Sequence, residues 1–195
     1  MPDKSAKRCI ALDVETTGLS PVRGDRVIEI GAIAIEDGGI VSEFGTLVYI
    51  EKKIPWHAQR IHGISDAMLL GKPPSEEVFP ELLRFISSSS IIAHNARFDI
   101  GFLKHEFHCI GIPFNPKYHC TLDLSRKLFP RLVNHKLETV YRHLCGELPH
   151  NIHRHRALDD ARLTARVWME MGHMDSIQGK GTLSTSSPLR GRGLR

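Results

Sequence analysis

The chain has 195 residues, 41% of them hydrophobic and 25% charged, with a formal net charge of +4. That length suits one domain with a sizeable core plus a tail; no stretch of 18 consecutive apolar residues speaks for a membrane span. The four cysteines (Cys9, Cys109, Cys120, Cys145) lack C-x-x-C spacing, which excludes a cysteine-zinc site and leaves four reduced thiols, with Cys9 and Cys145 expected to be buried.

The apolar run Cys9-Ile10-Ala11-Leu12 predicts a buried strand over 8–14, followed by Asp13-Val14-Glu15-Thr16-Thr17-Gly18. Side chains two apart on a strand share a face, so Asp13 and Glu15 stand side by side at its end, where Thr16-Thr17-Gly18 breaks the extended run. Adjacent carboxylates repel unless a cation neutralises them, and an all-oxygen donor set favours magnesium or manganese over zinc. Taken alone, the pair also reads as two solvated acids at a strand end. Strands over 26–36 and 40–50 follow, with Gly38-Gly39 as the hairpin signal between them, so the sheet begins antiparallel. A helical connection over 55–70 contains His62-Gly63, and a helix spans 75–87.

Ile91-Ile92-Ala93 marks a strand over 90–94 that leads into His94-Asn95-Ala96-Arg97-Phe98-Asp99. Asn95 suits the entry to a helix over 98–109, which places Asp99 in its first turn at the positive end of the helix dipole. Complementing that dipole is the plain alternative role for Asp99. A short strand over 117–120 and helices over 121–129 and 136–145 come next. Ala157, Ala161, Thr164, Ala165, Trp168 and Met171 recur at helical spacing and predict a last helix over 156–171. His155 lies on the segment leading into it. Asp160 sits in its early turns on the flank of the apolar stripe, and Asp159, about 100° round the helix, is expected to be the solvated member of the pair. Strands that alternate with helices add in parallel, giving an α/β mixed five-stranded sheet flanked by helices. Beyond residue 171 Gly, Ser, Thr and Arg dominate without hydrophobic period, so a domain over 1–171 and a basic, disordered tail over 172–195 are expected.

Four acids and one histidine suggest a metal-dependent phosphodiesterase. A phosphodiester repels hydroxide, so its hydrolysis needs charge neutralisation, an ionised water and stabilisation of the departing oxygen, all of which two divalent ions can supply. An imidazole can accept the water's proton near neutrality.

The combination D-x-E-T-T-G, H-N-x-x-F-D and H-x-A-x-x-D-A resembles the DnaQ-like 3′-5′ exonucleases of the DEDDh type, over residues 8–171. Arg26-Val27-Ile28-Glu29-Ile30-Gly31-Ala32, Ile61-His62-Gly63-Ile64-Ser65 and Thr121-Leu122-Asp123 belong to the same resemblance. It implies a ribonuclease H-like fold and two divalent metal ions, Mg2+ or Mn2+. Asp13, Glu15 and Asp160 would hold one metal and Asp13 would bridge to the second. Asp99 would act mainly through water on the metal, and His155 would be the general base. The backbone from Thr16 through Gly18 to Leu19 would face the terminal sugar, while His62, Asn95 and Phe98 would line the nucleotide pocket. Phe98 also reads as a core anchor, and His62 as a surface histidine.

The substrate implied is a single-stranded or frayed 3′ end of DNA, attacked to release nucleoside 5′-monophosphates. An exoribonuclease or oligoribonuclease, and a non-catalytic polymerase-docking module, are the alternatives. The tail holds Lys180, Arg190, Arg192 and Arg195 against Asp175, so +3 of the +4 lies there and the body carries +1. A nearly neutral body suits a grip on a few terminal nucleotides better than the coating of long duplexes. Arg154 and Arg156 are candidates for phosphate contacts; Lys4, Lys7 and Arg8 read more simply as solvated charge. Of the 12 histidines, His153 and His155 alone fall in a ligand setting, and zinc is not expected there. A DNA polymerase subunit is a further expected partner, and no membrane is. The start of the chain lacks a signal-peptide apolar region, so a cytoplasmic, soluble protein is expected.

Overall fold

A computed structural model describes residues 8–150 and 152–178. Three strands, β1 (Cys9–Thr16), β2 (Val27–Glu36) and β3 (Gly39–Leu47), form an antiparallel meander. Two shorter strands, β4 (Ser90–Ala93) and β5 (Tyr118–Cys120), add in parallel on the other side of β1, giving the order β3-β2-β1-β4-β5. The hairpin turns on Asp37 and Gly38, at φ 52° and 76°, and Gly39 already pairs with Glu36. The turn therefore sits one residue earlier than the Gly38-Gly39 reading, because Asp is one of the few residues besides Gly that tolerates the left-handed region.

Among the described residues seven α-helices connect and cover these strands: α1 (Trp56–His62), α2 (Asp66–Leu69), α3 (Ser75–Ile86), α4 (Ala96–Cys109), α5 (Thr121–Leu128), α6 (Leu137–Cys145) and α7 (Ala157–Gln178). The single connection expected over 55–70 is two helices, separated at Gly63, whose φ of 70° ends α1. Helix α7 runs seven residues past the expected end at 171. The disorder expected of the tail lies outside the described residues from 179 on.

Period-two burial explains the layering. Ile10, Leu12 and Val14 of β1 point to one face, where Phe79, Leu82, Phe102, Leu103 and Phe107 of α3 and α4 cover them. Ala11 points to the other, beneath Ala161, Ala165 and Met169 of α7. Small residues there let α7 lie close. Gly31 marks the nearest approach, since a Cβ at that position would stand 2.2 Å from the Ala157 carbonyl carbon. A separate cluster of Val140, Tyr141, Leu163, Val167 and Met171 binds α6 to α7. No helix among the described residues is long and apolar enough to cross a membrane.

The thiols are free, as expected, but Cys9 and Cys145 are half-buried rather than buried. Each lies at the edge of its apolar cluster.

Candidate active site

The face of β1 that carries Cys9 and Ala11 beneath α7 continues to Asp13 and Glu15, where α7 begins. The strand extends through Thr16, two residues beyond its expected end, so both acids stand inside it: Asp13 lies opposite Gly31, and Glu15 opposite Glu29. The irregularity that breaks the strand falls after them, between Glu15 and Thr16. On the other side, β4 pairs with β1 only as far as Ala11. Past that point the chain turns into α4, and the Asp99 carboxylate accepts the Val14 N–H at 3.3 Å. Asp99 thereby fills the gap left where the two parallel strands diverge, the place at which open α/β sheets form crevices.

Asn95 opens α4 through its backbone. It sits in the left-handed region (φ 74°, ψ 45°) with no side-chain cap, and its carbonyl accepts the Phe98 N–H at 2.9 Å. Its side chain is left exposed beside the site. Phe98 is half-buried and packs tilted against Phe102, with ring centroids 4.9 Å apart.

The entry to α7 brings the third group. His155 adopts φ 57°, and its backbone faces the Asp160 carboxylate, whose pKa it helps to lower. One ligand atom each of Glu15, His155 and Asp160 lie within 4.8 Å of one another. Asp159 corrects the expectation of a solvated side chain. It is buried because it accepts the His153 N–H at 2.9 Å and an Arg162 N–H at 2.7 Å, closing the loop onto the helix. Asp160 is the one left facing Glu15.

Burial raises all four of these carboxylates, and repulsion from the other acids adds to it at Asp13 and Glu15. Asp13 stands well above the usual range, with Asp99, Asp160, Glu15 and Glu29 adding to the effect. Glu15 is pushed up to about 8 by burial, then Asp160, Glu29 and Asp99, and is only partly relieved by Arg156. Burial takes Asp99 to about 8 against the Val14 N–H, and Asp160 to about 6. Such a set of hard oxygens with one imidazole and no thiolate fits a divalent cation, which would remove the repulsion.

Glu29 is the residue that sequence reading missed. It receives Arg156 through Nε and Nη2 at 2.7–3.1 Å and caps α7 by accepting the Ala157 N–H at 3.0 Å. Its signal was a lone acid inside the apolar strand Val27-Ile28-Glu29-Ile30, which demands a buried partner. Arg156 is thus held by Glu29, Arg154 by Glu138 and Arg8 by Glu36, so none of the three described candidates for phosphate binding is an unpaired cation. Lys4 and Lys7 lie outside the described residues.

Asp25 was also missed. It accepts the Ser20 N–H at 3.1 Å and the Thr17 hydroxyl at 3.4 Å, and it meets Lys52 at 3.2 Å. A Cβ on Gly18 would stand 2.4 Å from its carboxylate, so a side chain there would displace Asp25. Folding the loop around Asp25 buries Thr16 and Thr17 and leaves Leu19 85% exposed at its tip. His62 ends α1 as a buried ring whose Nδ1 accepts the Ile64 N–H at 3.0 Å. Its Nε2 has no partner among the described residues. Burial holds the ring below the ordinary imidazole range, against the field of Glu29, so Nε2 carries the proton of a neutral ring.

The family model for the exonucleases matches residues 10–168. The chain belongs to this exonuclease family. The DNA polymerase III PolC-type of Clostridium perfringens is 38% identical over 158 residues, which is 81% of this chain but 11% of that protein. The DNA polymerase III subunit epsilon of Aquifex aeolicus is 36% identical over 163 residues, 83% of this chain and 79% of the relative. The exonuclease chain therefore spans a small part of the PolC-type polymerase and most of an epsilon subunit. Among solved structures, Exonuclease X in complex with 5′ overhanging duplex DNA matches with a TM-score of 0.68 at 31% identity, covering 87% of this chain and 92% of that one. The mixed sheet with helices on both faces is the ribonuclease H-like fold of these nucleases.

Proposed function

We propose that the chain hydrolyses phosphodiester bonds at the 3′ end of DNA and releases nucleoside 5′-monophosphates one at a time. The observation that carries this reading is the convergence of Asp13, Glu15, Asp99 and Asp160 on one crevice, mutually repelling, with the His155 ring beside Glu15 and Asp160. Two divalent cations, Mg2+ or Mn2+, held by Asp13, Glu15, Asp99 and Asp160, would supply charge neutralisation and an acidified water at the phosphate.

The chain's own residues do the rest. His155 takes the proton of the attacking water as its oxygen bonds to phosphorus and the bond to the 3′ oxygen breaks; the departing oxygen is protonated from solvent. The Asp160 carboxylate faces the His155 backbone. Glu29 fixes the start of α7, and with it the separation of His155 from Glu15. His62 offers its unpartnered Nε2–H to the terminal nucleotide. Exposed Leu19 and half-buried Phe98 supply apolar surface to its base and sugar, and Asn95 a polar edge. DNA, rather than RNA, is supported by the DNA-bound Exonuclease X and by the polymerase relatives, which also support a polymerase subunit as partner.

The test is digestion of end-labelled DNA and RNA oligonucleotides, with and without chelator. Release of 5′-mononucleotides from the 3′ end of DNA, abolished by chelator, is expected. Faster digestion of RNA would make the chain an exoribonuclease, and no release from either would leave a docking module.

A further inference from the structure

We propose that Trp56, with Arg60 and Lys53, forms an outer stacking platform for the single strand behind the 3′-terminal nucleotide; this rests on the nuclease reading above. The segment Lys52-Lys53-Ile54-Pro55-Trp56-His57-Ala58-Gln59-Arg60-Ile61-His62 interleaves cations with aromatic and apolar groups. Helix α1 divides them between two sides. Ala58 and His62 are buried, with the His62 ring turned toward the Thr16 backbone. Trp56 is 70% exposed, and Ile61 57%.

A tryptophan this exposed is unusual for so large a ring. The Arg60 guanidinium lies over its ring, 4.8 Å from the centroid. Neither Arg60 nor Lys53 has a carboxylate partner among the described residues, in contrast to Lys52, which Asp25 neutralises, and to Arg8, Arg154 and Arg156. The nearest downstream acid, Asp66, accepts the Ile54 N–H at 2.8 Å. An exposed indole beside two unneutralised cations is the combination that binds single strands, whose bases stack while the phosphates meet positive charge.

Reach agrees with this. Trp56 and His62 are six residues apart on one helix, about 9 Å along its axis. In this proposal a strand whose terminal nucleotide touches His62 rounds α1 and meets Trp56 with a nucleotide further from the end. A mononucleotide ester ends before it.

Only two tryptophans are present, and Trp168 is half-buried against the His119 ring at 5.2 Å, so Trp56 dominates the solvent-sensitive emission. Titrating the full chain in chelator with a ten-residue oligothymidylate should quench that emission, and Trp56→Ala should remove the response. With Mg2+, Trp56→Ala should raise KM for the oligonucleotide about tenfold, with kcat retained. Trp56→Phe should restore most of the loss. The p-nitrophenyl ester of thymidine 5′-monophosphate should be hydrolysed equally by all three proteins. Emission and KM that do not change overturn the platform, including the case in which the same face responds only to an added polymerase subunit. If wild type hydrolyses neither substrate, the nuclease reading fails first, and the quenching titration still decides the platform.

Discussion

Glu106 is a buried acid beside the sheet and Asp13 a half-buried one on it, and they are treated in opposite ways. Glu106 is fully buried and takes Arg26 through both carboxylate oxygens at 2.8 and 2.9 Å, together with the Val27 N–H at 3.0 Å. Its charge is answered within the fold. Asp13 faces Glu15, Asp99, Asp160 and Glu29, and Arg156, which partly relieves Glu15, is already held by Glu29. Buried charge that finds its partner fastens the structure; buried charge left facing like charge needs something from outside. Such an arrangement is tolerated where a cation completes it.

Neutral substitutions should separate the two regions. Asp13→Asn should lower turnover by about 10²- to 10³-fold, the scale of losing one electrostatic support for a transition state, while melting in chelator stays unchanged or rises. Glu106→Gln should do the reverse. It strands Arg26 and should cost about 3 kcal/mol of stability, at the lower end for breaking a buried pair because Arg26 is partly exposed, with activity retained below the melting transition. Denaturation and initial rates on both variants check this. An Asp13→Asn protein that melts lower in chelator would contradict the repulsion.

Between these extremes lies the seam from β2 to α7. Glu29→Gln keeps the shape but loses the charge that holds Arg156 and the Ala157 N–H. It should weaken Mg2+ activation by about 10- to 100-fold, as loss of supporting contacts around a metal site does, measured from the Mg2+ dependence of the rate. Gly31→Ala pushes a methyl against the Ala157 backbone and should cost about 1–3 kcal/mol by overpacking, visible in denaturant melts.

The contrast also shows what can be read from residues in line. Every strand was legible, because β-strand burial repeats at short range in the chain; the four acids and the imidazole each stand where an apolar run meets a polar break. Partnerships across long separations were not. Glu29 with Arg156, and Arg26 with Glu106, join residues 127 and 80 positions apart, and nothing local distinguishes such a carboxylate from a solvated one. Asp159 was misjudged for a related reason. The helix wheel places it about 100° from Asp160, but the loop carrying His153 folds back over it. Helix ends suffered too: α7 continues to Gln178 past the point where composition changes.

The smallest effect is the most direct probe of the repulsion. With Glu15 and Asp99 raised to about 8 and Asp160 to about 6, the folded chain without metal binds more protons than the unfolded chain between the ordinary carboxylate range and pH 8. Its stability therefore falls as pH rises through that window. A divalent cation displaces those protons, so binding releases them and reverses the loss. In chelator the melting temperature should drop by several degrees from pH 5.5 to pH 8, about 2–4 °C for each kcal/mol in a chain of this size. The increment produced by Mg2+ should grow over the same interval. Asp13→Asn, with one charge fewer in the cluster, should flatten both trends, and a Mg2+ increment independent of pH would show that the four acids are not raised together.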